Sequence, residues 1–329
     1  MDWEKYINRY EDLQLAGFKT ENQAKEHWKK YGEKEGREYF ICPEDFDWKF
    51  YIEEYPHLKL NTKLECINHW YNYGKKEGRI FNKKYKLKKK IAICFWGLTR
   101  SLKYTIDSLK LYFLDILNKN DVEYDIYMHT YKIDSIYTNE RSSEFNIKLD
   151  FEEHNLLNPK YYMIENQDDV KEMLKLEEYR THKDPWNNDY KTCDNFICAL
   201  YSKYQVTQML LNTEIKYDNI IFCRPDLKMI NEFPINSLNI YSDEDIFYTP
   251  DFHKFGGLND RFFVSNYKNG IIYGEAFKFL KEYSKTQNIH SETYCLNYLV
   301  KMNKLISLEL KFYFHRMRAN GVFEVDYRM

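Results

Sequence analysis

Two short apolar segments each end in a turn whose polar residues could bind a phosphate group. The turns consist of Gly97, Thr99 and Arg100 after the first segment, and of Arg224, Pro225 and Asp226 after the second. Both segments are typical of buried parallel strands, and in an open α/β sheet ligands bind at the carboxyl edge of such strands. We therefore expect the two turns to lie near each other. An arginine beside a carboxylate at this edge suits a phosphate-bearing donor, with or without a divalent metal.

Each of these turns also has a structural interpretation. Gly97 allows a tight backbone turn and a following helix could present its N-terminus to an anion, but Arg100 could equally be a surface residue. Arg224 and Asp226 could form only an ion pair, although their position at the predicted ligand edge favours a functional role. No Walker loop and no GxGxxG motif occurs in the chain.

Three later segments carry further candidate groups. Asp260 follows the pair Gly256-Gly257 and would face the same cleft, unless it only caps a β-turn. Glu292 follows Ser291 at the start of a predicted helix, where Ser291 suits the N-cap and Glu292 could be catalytic or could only favour the helix dipole. His315 lies between aromatic residues and arginines, and could bind a metal, contact a phosphate or be structural.

Composition limits the classes of function. The chain has 329 residues and a net charge of -2, which does not indicate binding to nucleic acid or to an anionic membrane. The seven cysteines form no CxxC pair, which favours a reducing compartment. No signal peptide opens the sequence, and no apolar run approaches the ~20 residues that span a bilayer. We expect a cytoplasmic protein without membrane insertion.

The first 81 residues contain an internal repeat. The copies at 1–40 and 45–81 each contain Asp-Trp near the start and Glu-Gly-Arg near the end, and each is predicted to be a helical hairpin. The functional interpretation is a carbohydrate-binding module that uses Trp28 and Trp70; in the structural one these side chains form the hairpin core.

Residues 82–89 are predicted to be a basic linker, and 90–329 alternate strand and helix as in an α/β domain with a mostly parallel sheet.

The order of the motifs resembles a group of glycosyltransferases related to the nucleotide-sugar-dependent GT-A fold and found in large DNA viruses and some bacteria. The motifs, in order, are GLTRS, DIYMHTY, FCRPDL, FGGLNDRF and HSE, and the resemblance covers roughly residues 90–318. The repeat ending in EGR resembles a small helical module found beside glycosyltransferase domains. The resemblance implies a Rossmann-like GT-A domain at 90–329, a nucleotide-sugar donor and a glycan or protein-linked acceptor. A viral origin would place the protein in the host cytoplasm.

The resemblance also implies roles for individual residues. Gly97, Thr99, Arg100, Arg224 and Asp226 would bind the donor nucleotide, and Asp260 or Glu292 would deprotonate the acceptor. A divalent metal, Mn²⁺ or Mg²⁺, would be held by Asp226 and His315. The first aspartate of the family's DxD motif is replaced by Arg224, so an arginine could itself neutralise the diphosphate.

Two other functions are compatible with these residues. One is a carbohydrate-binding protein whose transferase fold has lost its activity, which the repeat would suit. The other is a different transferase with a phosphorylated donor, such as a sulfotransferase. That class would usually show a richer phosphate-binding loop near the first strand than GLTRS.

Overall fold

The computed structural model describes residues 3–37, 43, 45–83, 89–238 and 244–326. The chain divides into two compact units, Met1–Leu87 and Lys88–Met329. Most of the predicted linker, residues 84–88, lies outside the described residues, as do 1–2, 38–42 and 44 of the predicted repeat. In the described part of the chain no helix is long and apolar enough to cross a membrane.

The first unit consists of short helices. They are α1 (Trp3–Arg9), α2 (Glu11–Leu15), α3 (Glu21–His27), α4 (Trp48–Glu54) and α5 (Lys63–His69). The chain continues from α3 and from α5 into π-helical turns at Trp28–Gly32 and Trp70–Gly74. Capping boxes begin α3 at Thr20 and α5 at Thr62, each by hydrogen bonds with a Gln or Glu three residues later.

The two hairpins of this unit share the same internal contacts. A tyrosine hydroxyl lies 3.0 Å (Tyr6–His27) or 2.9 Å (Tyr51–His69) from a histidine Nδ1. The indole Nε1 of Trp28 donates to the carbonyl of Arg37 at 3.3 Å, and that of Trp70 donates to Arg79 at 3.0 Å. Both tryptophans therefore close their own hairpin, as in the structural interpretation of the repeat.

The second unit is built on a seven-stranded sheet in the order β10-β8-β9-β6-β1-β2-β5. The strands are β1 (Lys90–Trp96), β2 (Glu123–Lys132), β5 (Tyr161–Asn166), β6 (Asn219–Cys223), β8 (Ile246–Pro250), β9 (Phe262–Asn266) and β10 (Ile306–Leu310). All pairs are parallel except those of β9, which runs antiparallel to β6 and β8. The predicted mostly parallel α/β sheet is confirmed.

Helices cover both faces of this sheet. They are α6 (Leu102–Leu109), α7 (Asp115–Lys119), α8 (Gln167–Leu174), α9 (Lys191–Leu211), α10 (Tyr267–Gly274), α11 (Phe277–Ser284) and α12 (Ser291–Leu296). Alternate residues of β1 belong to different cores, since Ile91, Ile93 and Phe95 pack with α6 and Ala92 and Cys94 pack with α9. A strand buried on both faces is apolar throughout, which explains its strong sequence signal.

Two small sheets lie beside the main one. Strand β7 (Leu227–Met229) pairs antiparallel with β11 (Phe314–Met317), which pairs with β12 (Phe323–Glu324), and β3 (Tyr137–Asn139) forms a hairpin with β4 (Glu144–Ile147). The N–H of Met317 donates to the carbonyl of Asp226 at 2.8 Å. This contact brings the end of the chain to the turn that follows β6.

Candidate functional site

A large cleft opens at the carboxyl ends of β1 and β6, where the sequence predicts a ligand site. It encloses about 1250 Å³. Its walls include the two turns, the loop before β9, the start of α12 and the strand β11. Six of the eight predicted site residues line it, namely Gly97, Arg100, Arg224, Asp226, Asp260 and Glu292.

The turn after β1 is fixed by a buried polar chain. Gly97 has a φ of 94°, which favours glycine, and its N–H donates to Ser202 Oγ at 2.8 Å. The Nδ1 of His129 lies 2.7 Å from the same Oγ, and its Nε2 lies 2.7 Å from Glu165 Oε2. Thr99 is buried and does not line the cleft. Its backbone N–H donates to Thr130 Oγ1 at 3.2 Å. The structure thus places Thr99 inside the turn rather than on its ligand side.

Arg224 and Asp226 form a two-pronged ion pair in the turn between β6 and β7. The Nε of Arg224 donates to Asp226 Oδ1 at 2.9 Å, and its Nη2 donates to Oδ2. The Nη2 of Arg100 lies 3.7 Å from Asp226 Oδ2. Burial alone would raise the pKa of Asp226, but the charges of Arg224 and Arg100 hold that pKa below its usual value. Asp226 is therefore an ionised carboxylate that orients two arginines.

Strand β11 and the residue that follows it add two arginines, Arg316 and Arg318, which the sequence marked only as neighbours of His315. Arg316 pairs with Asp326, with Nη2 2.6 Å from Oδ1, and Arg318 donates to Glu324. Burial lowers the pKa of Arg318 to about 10, helped by the charges of Arg100 and Arg316. Their spacing of two residues was the available signal, because alternate residues of an extended segment lie on one face, although the strand itself ends at Met317.

His315 belongs to the other side of that alternation. Its ring stacks on Phe323 with centroids 5.5 Å apart, and its Nδ1 accepts the N–H of Asp326 at 3.2 Å. His315 is not among the residues that line the cleft, whereas Asp226 is. The structure therefore does not bring the two predicted metal ligands together in the cleft.

A divalent metal does not fit the groups around Asp226. Both of its carboxylate oxygens are engaged by Arg224, and a cation there would face two arginines. Among the described residues no group of three His, Cys, Asp or Glu side chains could hold a metal ion.

Asp260 and Glu292 flank a further arginine, Arg261, whose carbonyl accepts the N–H of Arg224 at 3.2 Å. Arg261 is only 5% exposed; its Nη1 lies 3.5 Å from Asp260 Oδ1 and its Nη2 donates to Glu292 Oε1 at 3.3 Å. The Nε and Nη1 of Arg261 are buried without a hydrogen-bond partner in the part of the chain that the structure describes. Buried polar groups are usually satisfied, so these N–H groups suit a ligand oxygen.

The loop before β9 is locked onto the start of α12. The N–H of Leu258 donates to the carbonyl of Glu292 at 3.0 Å, and a Cβ on Gly257 would lie 1.9 Å from that carbonyl oxygen. The predicted cap of α12 was wrong, because His290 rather than Ser291 is the N-cap residue. Ser291 instead donates its hydroxyl to Glu292 Oε2 at 2.5 Å, so that carboxylate has partners on both oxygens.

Comparisons with known proteins found no matching family model and no matching curated protein. Solved structures do match at low similarity. The apo form of the glycosyltransferase GlyE from Streptococcus pneumoniae TIGR4 aligns over 68% of this chain and 46% of its own, with 12% identity and a TM-score of 0.35. The apo form of mouse xyloside xylosyltransferase 1 aligns over 68% of this chain and 85% of its own, with 10% identity and a TM-score of 0.35. The aligned part thus spans less than half of the GlyE chain.

Proposed function

We propose that the second unit transfers a sugar from a nucleoside-diphosphate sugar to a hydroxyl of a glycan or a protein-linked acceptor. The observation that carries the proposal is that five of the six arginines lining one cleft, at the carboxyl edge of a mostly parallel sheet, lie beside acidic side chains: Arg100, Arg224, Arg261, Arg316 and Arg318. Guanidinium groups bind phosphate oxygens in a two-pronged geometry. Burial is the main cause of the lowered pKa of Arg318, and an anion bound beside this guanidinium would stabilise its charge.

The arginines and the carboxylates of the cleft match the two requirements of sugar transfer. The bond between the anomeric carbon and the diphosphate oxygen breaks, and its electron pair leaves with the nucleoside diphosphate, whose charge the arginines stabilise. The acceptor oxygen forms the new bond to the anomeric carbon and gives its proton to a carboxylate. We assign this base to Asp260 in a direct displacement, which inverts the anomeric centre.

Arginines take the place of a divalent cation in this proposal. The resemblance implied Mn²⁺ or Mg²⁺ at Asp226 and His315, but Asp226 is held by Arg224 and His315 is not a lining residue. We therefore expect donor binding to persist when a chelator removes divalent metal.

A thermal-shift screen of uridine and guanosine diphosphates and their sugars tests this function. Binding to the folded state raises the melting temperature, so at least one of these ligands should raise Tm both with EDTA and with Mn²⁺. Arg318→Gln should reduce the shift, whereas Lys281→Gln should not, since Lys281 pairs with Glu178 outside the cleft lining. A panel without any shift would count against the proposal.

Release of the nucleoside diphosphate separates an enzyme from a binding protein. A transferase should hydrolyse its bound donor slowly without an acceptor, and chromatography of the nucleotide would show it. A carbohydrate-binding protein with a decayed transferase fold would bind the donor and leave it intact.

We also propose a reducing, cytoplasmic location. The six described cysteines are all unpaired and buried, as expected where disulfides do not form. Protein isolated without a reducing agent and then unfolded should therefore react with a thiol reagent at its cysteines and show no disulfide.

A further inference from the structure

The segment between α8 and α9 holds a tryptophan in a fixed position at the cleft. The carboxylate of Asp184, only 8% exposed, accepts backbone N–H groups from Trp186 at 3.0 Å, Asn188 at 2.7 Å and Tyr190 at 3.0 Å. Asn187, Asp189 and Tyr190 have positive φ values of 49°, 56° and 60°. Such conformations cost roughly 1–3 kcal/mol each and persist only where the surroundings impose them. The segment is thus a strained loop held by one buried carboxylate.

This loop places Trp186 next to the start of α12. Its ring stacks on that of His290, with centroids 5.8 Å apart and an angle of 14° between the planes. The Nδ1 of His290 lies 3.0 Å from Thr293 Oγ1, and its Nε2 lies 3.6 Å from Glu292 Oε2. Trp186 itself is partly exposed and lines the cleft. An aromatic surface and a pair of carboxylates therefore lie side by side, joined through His290.

We propose that Trp186 is the stacking surface for a pyranose ring of the acceptor. One face of a pyranose presents C–H groups, which pack on an aromatic ring, while its hydroxyls need polar partners. Trp186 supplies the first, and the exposed polar residue Asn195 lines the same cleft. Glu292 and Asp260 both contact Arg261, so a sugar stacked on Trp186 would lie near Asp260, the proposed base. The inference rests on the proposed function, because it assigns the acceptor half of the same site.

Saturation-transfer NMR tests the site directly with methyl glycosides as probes. The panel contains the methyl β-glycosides of glucose, galactose, xylose, mannose and N-acetylglucosamine. At least one should receive saturation on the protons of one ring face from the wild-type protein. Trp186→Ala should weaken its binding at least about tenfold, or roughly 1.4 kcal/mol, while Trp186→Phe retains most of it. Tyr162→Ala removes an exposed aromatic ring that is not a lining residue and should change nothing.

Calorimetric titration of uridine and guanosine diphosphate in the same samples separates this inference from the proposed function. Nucleotide affinity should be equal in wild type and all variants, because the arginines are untouched. Nucleotide binding without any signal from the glycosides, or with an unchanged signal in Trp186→Ala, would overturn the acceptor site and leave the proposed function standing. If Trp186→Ala does not fold, Trp186→Leu retains apolar volume without the ring, and full glycoside binding by it would overturn the inference equally.

Discussion

Asp260 and Glu292 contact the same arginine, yet their carboxylates are held differently. Both oxygens of Glu292 have partners, in Arg261 and Ser291. The carboxylate of Asp260 lies 3.5 Å from Arg261 Nη1, a looser contact, and its backbone carbonyl accepts the hydroxyl of Tyr273 at 3.1 Å. A base must be able to turn towards the proton that it removes, so Asp260 suits this role and Glu292 suits that of positioning Arg261.

We predict that Asp260→Asn lowers turnover by roughly 10²–10⁴, the usual scale for loss of a general base. Donor affinity should change little, because the phosphate-binding arginines remain. Single-turnover transfer and calorimetric donor binding would measure the two effects separately. Asp245→Asn is a matched control, since Asp245 is exposed and pairs with Lys268. Transfer at the wild-type rate by Asp260→Asn would make Glu292 the first candidate for the base.

Asp226→Asn should instead weaken binding of the donor. Its loss releases Arg224 and Arg100 from a shared anchor, so we expect donor affinity to fall by about tenfold, or roughly 1.4 kcal/mol. Calorimetry with uridine and guanosine diphosphate would measure this change. Normal binding by the variant would mean that the turn after β6 is only a structural ion pair.

Lys203 is a buried charge next to Trp96, a residue that lines the cleft, and no sequence motif marks it. It is 1% exposed, and its Nζ lies 3.7 Å from the ring centroid of Tyr273 and 4.5 Å from that of Trp96. Burial lowers its pKa to about 8, against 10.5 in an unfolded chain. Between these values the unfolded state binds more protons than the folded one, so this lysine adds stability as pH rises.

Comparison of wild type with Lys203→Met isolates this effect from other titrating groups. With a pKa lowered by this amount, the free energy of unfolding of wild type minus that of the variant should increase by about 2 kcal/mol from about pH 7 to about pH 9.5. Denaturant unfolding at several pH values would measure it. Lys285→Met, which removes an exposed lysine, should show a constant difference. A constant difference for Lys203→Met as well would mean that the folded pKa is not lowered.

At the scale of elements, the strength of the apolar pattern decided what could be predicted. Strands β1 and β6 are buried and were found because their sequences are almost continuously apolar. The edge strand β5 has no fully buried residue, so it carries polar residues and no such apolar pattern. The short strand β11 mixes apolar and charged residues, so Arg316 within it and Arg318 just after it were missed as site residues.

The contact between the loop before β9 and α12 gives an element-scale prediction. Gly257→Ala would place a Cβ against the backbone of Glu292, where no side chain can yield, and should destabilise the protein by roughly 1–3 kcal/mol. It should also weaken sugar transfer, since the loop carries Asp260 and Arg261. Denaturant unfolding and transfer assays would measure these losses.

Gly256 is the matched control for that substitution. Its φ of 79° makes Gly256→Ala strained, but a Cβ there meets nothing within 4 Å. We expect a cost of about 1 kcal/mol, close to that of a left-handed conformation without a clash. An equal loss in both variants would mean that the loop and α12 are not tightly coupled.

At the scale of the whole molecule, each unit has its own hydrophobic core. One cluster, which contains Tyr6, Tyr51 and Ile67, consists only of residues of the first unit. The two large clusters on either face of the sheet consist only of residues of the second. Separate cores are the usual condition for domains that fold alone. The sequence indicated this division through its repeat and basic linker, but could not show which contacts the repeat preserves.

Removal of residues 1–87 should therefore leave a folded second unit. Its core and every residue assigned to the cleft lie beyond that point, so we expect cooperative thermal unfolding and unchanged affinity for uridine and guanosine diphosphate. Donor hydrolysis should survive, while transfer to a glycan acceptor should weaken if the helical repeat helps to hold the acceptor. The shortened chain would be compared with the full chain by circular dichroism, calorimetry and single-turnover transfer. If it is insoluble or has lost nucleotide binding, the repeat belongs to the catalytic core; if transfer is fully retained, the repeat has no part in binding the acceptor.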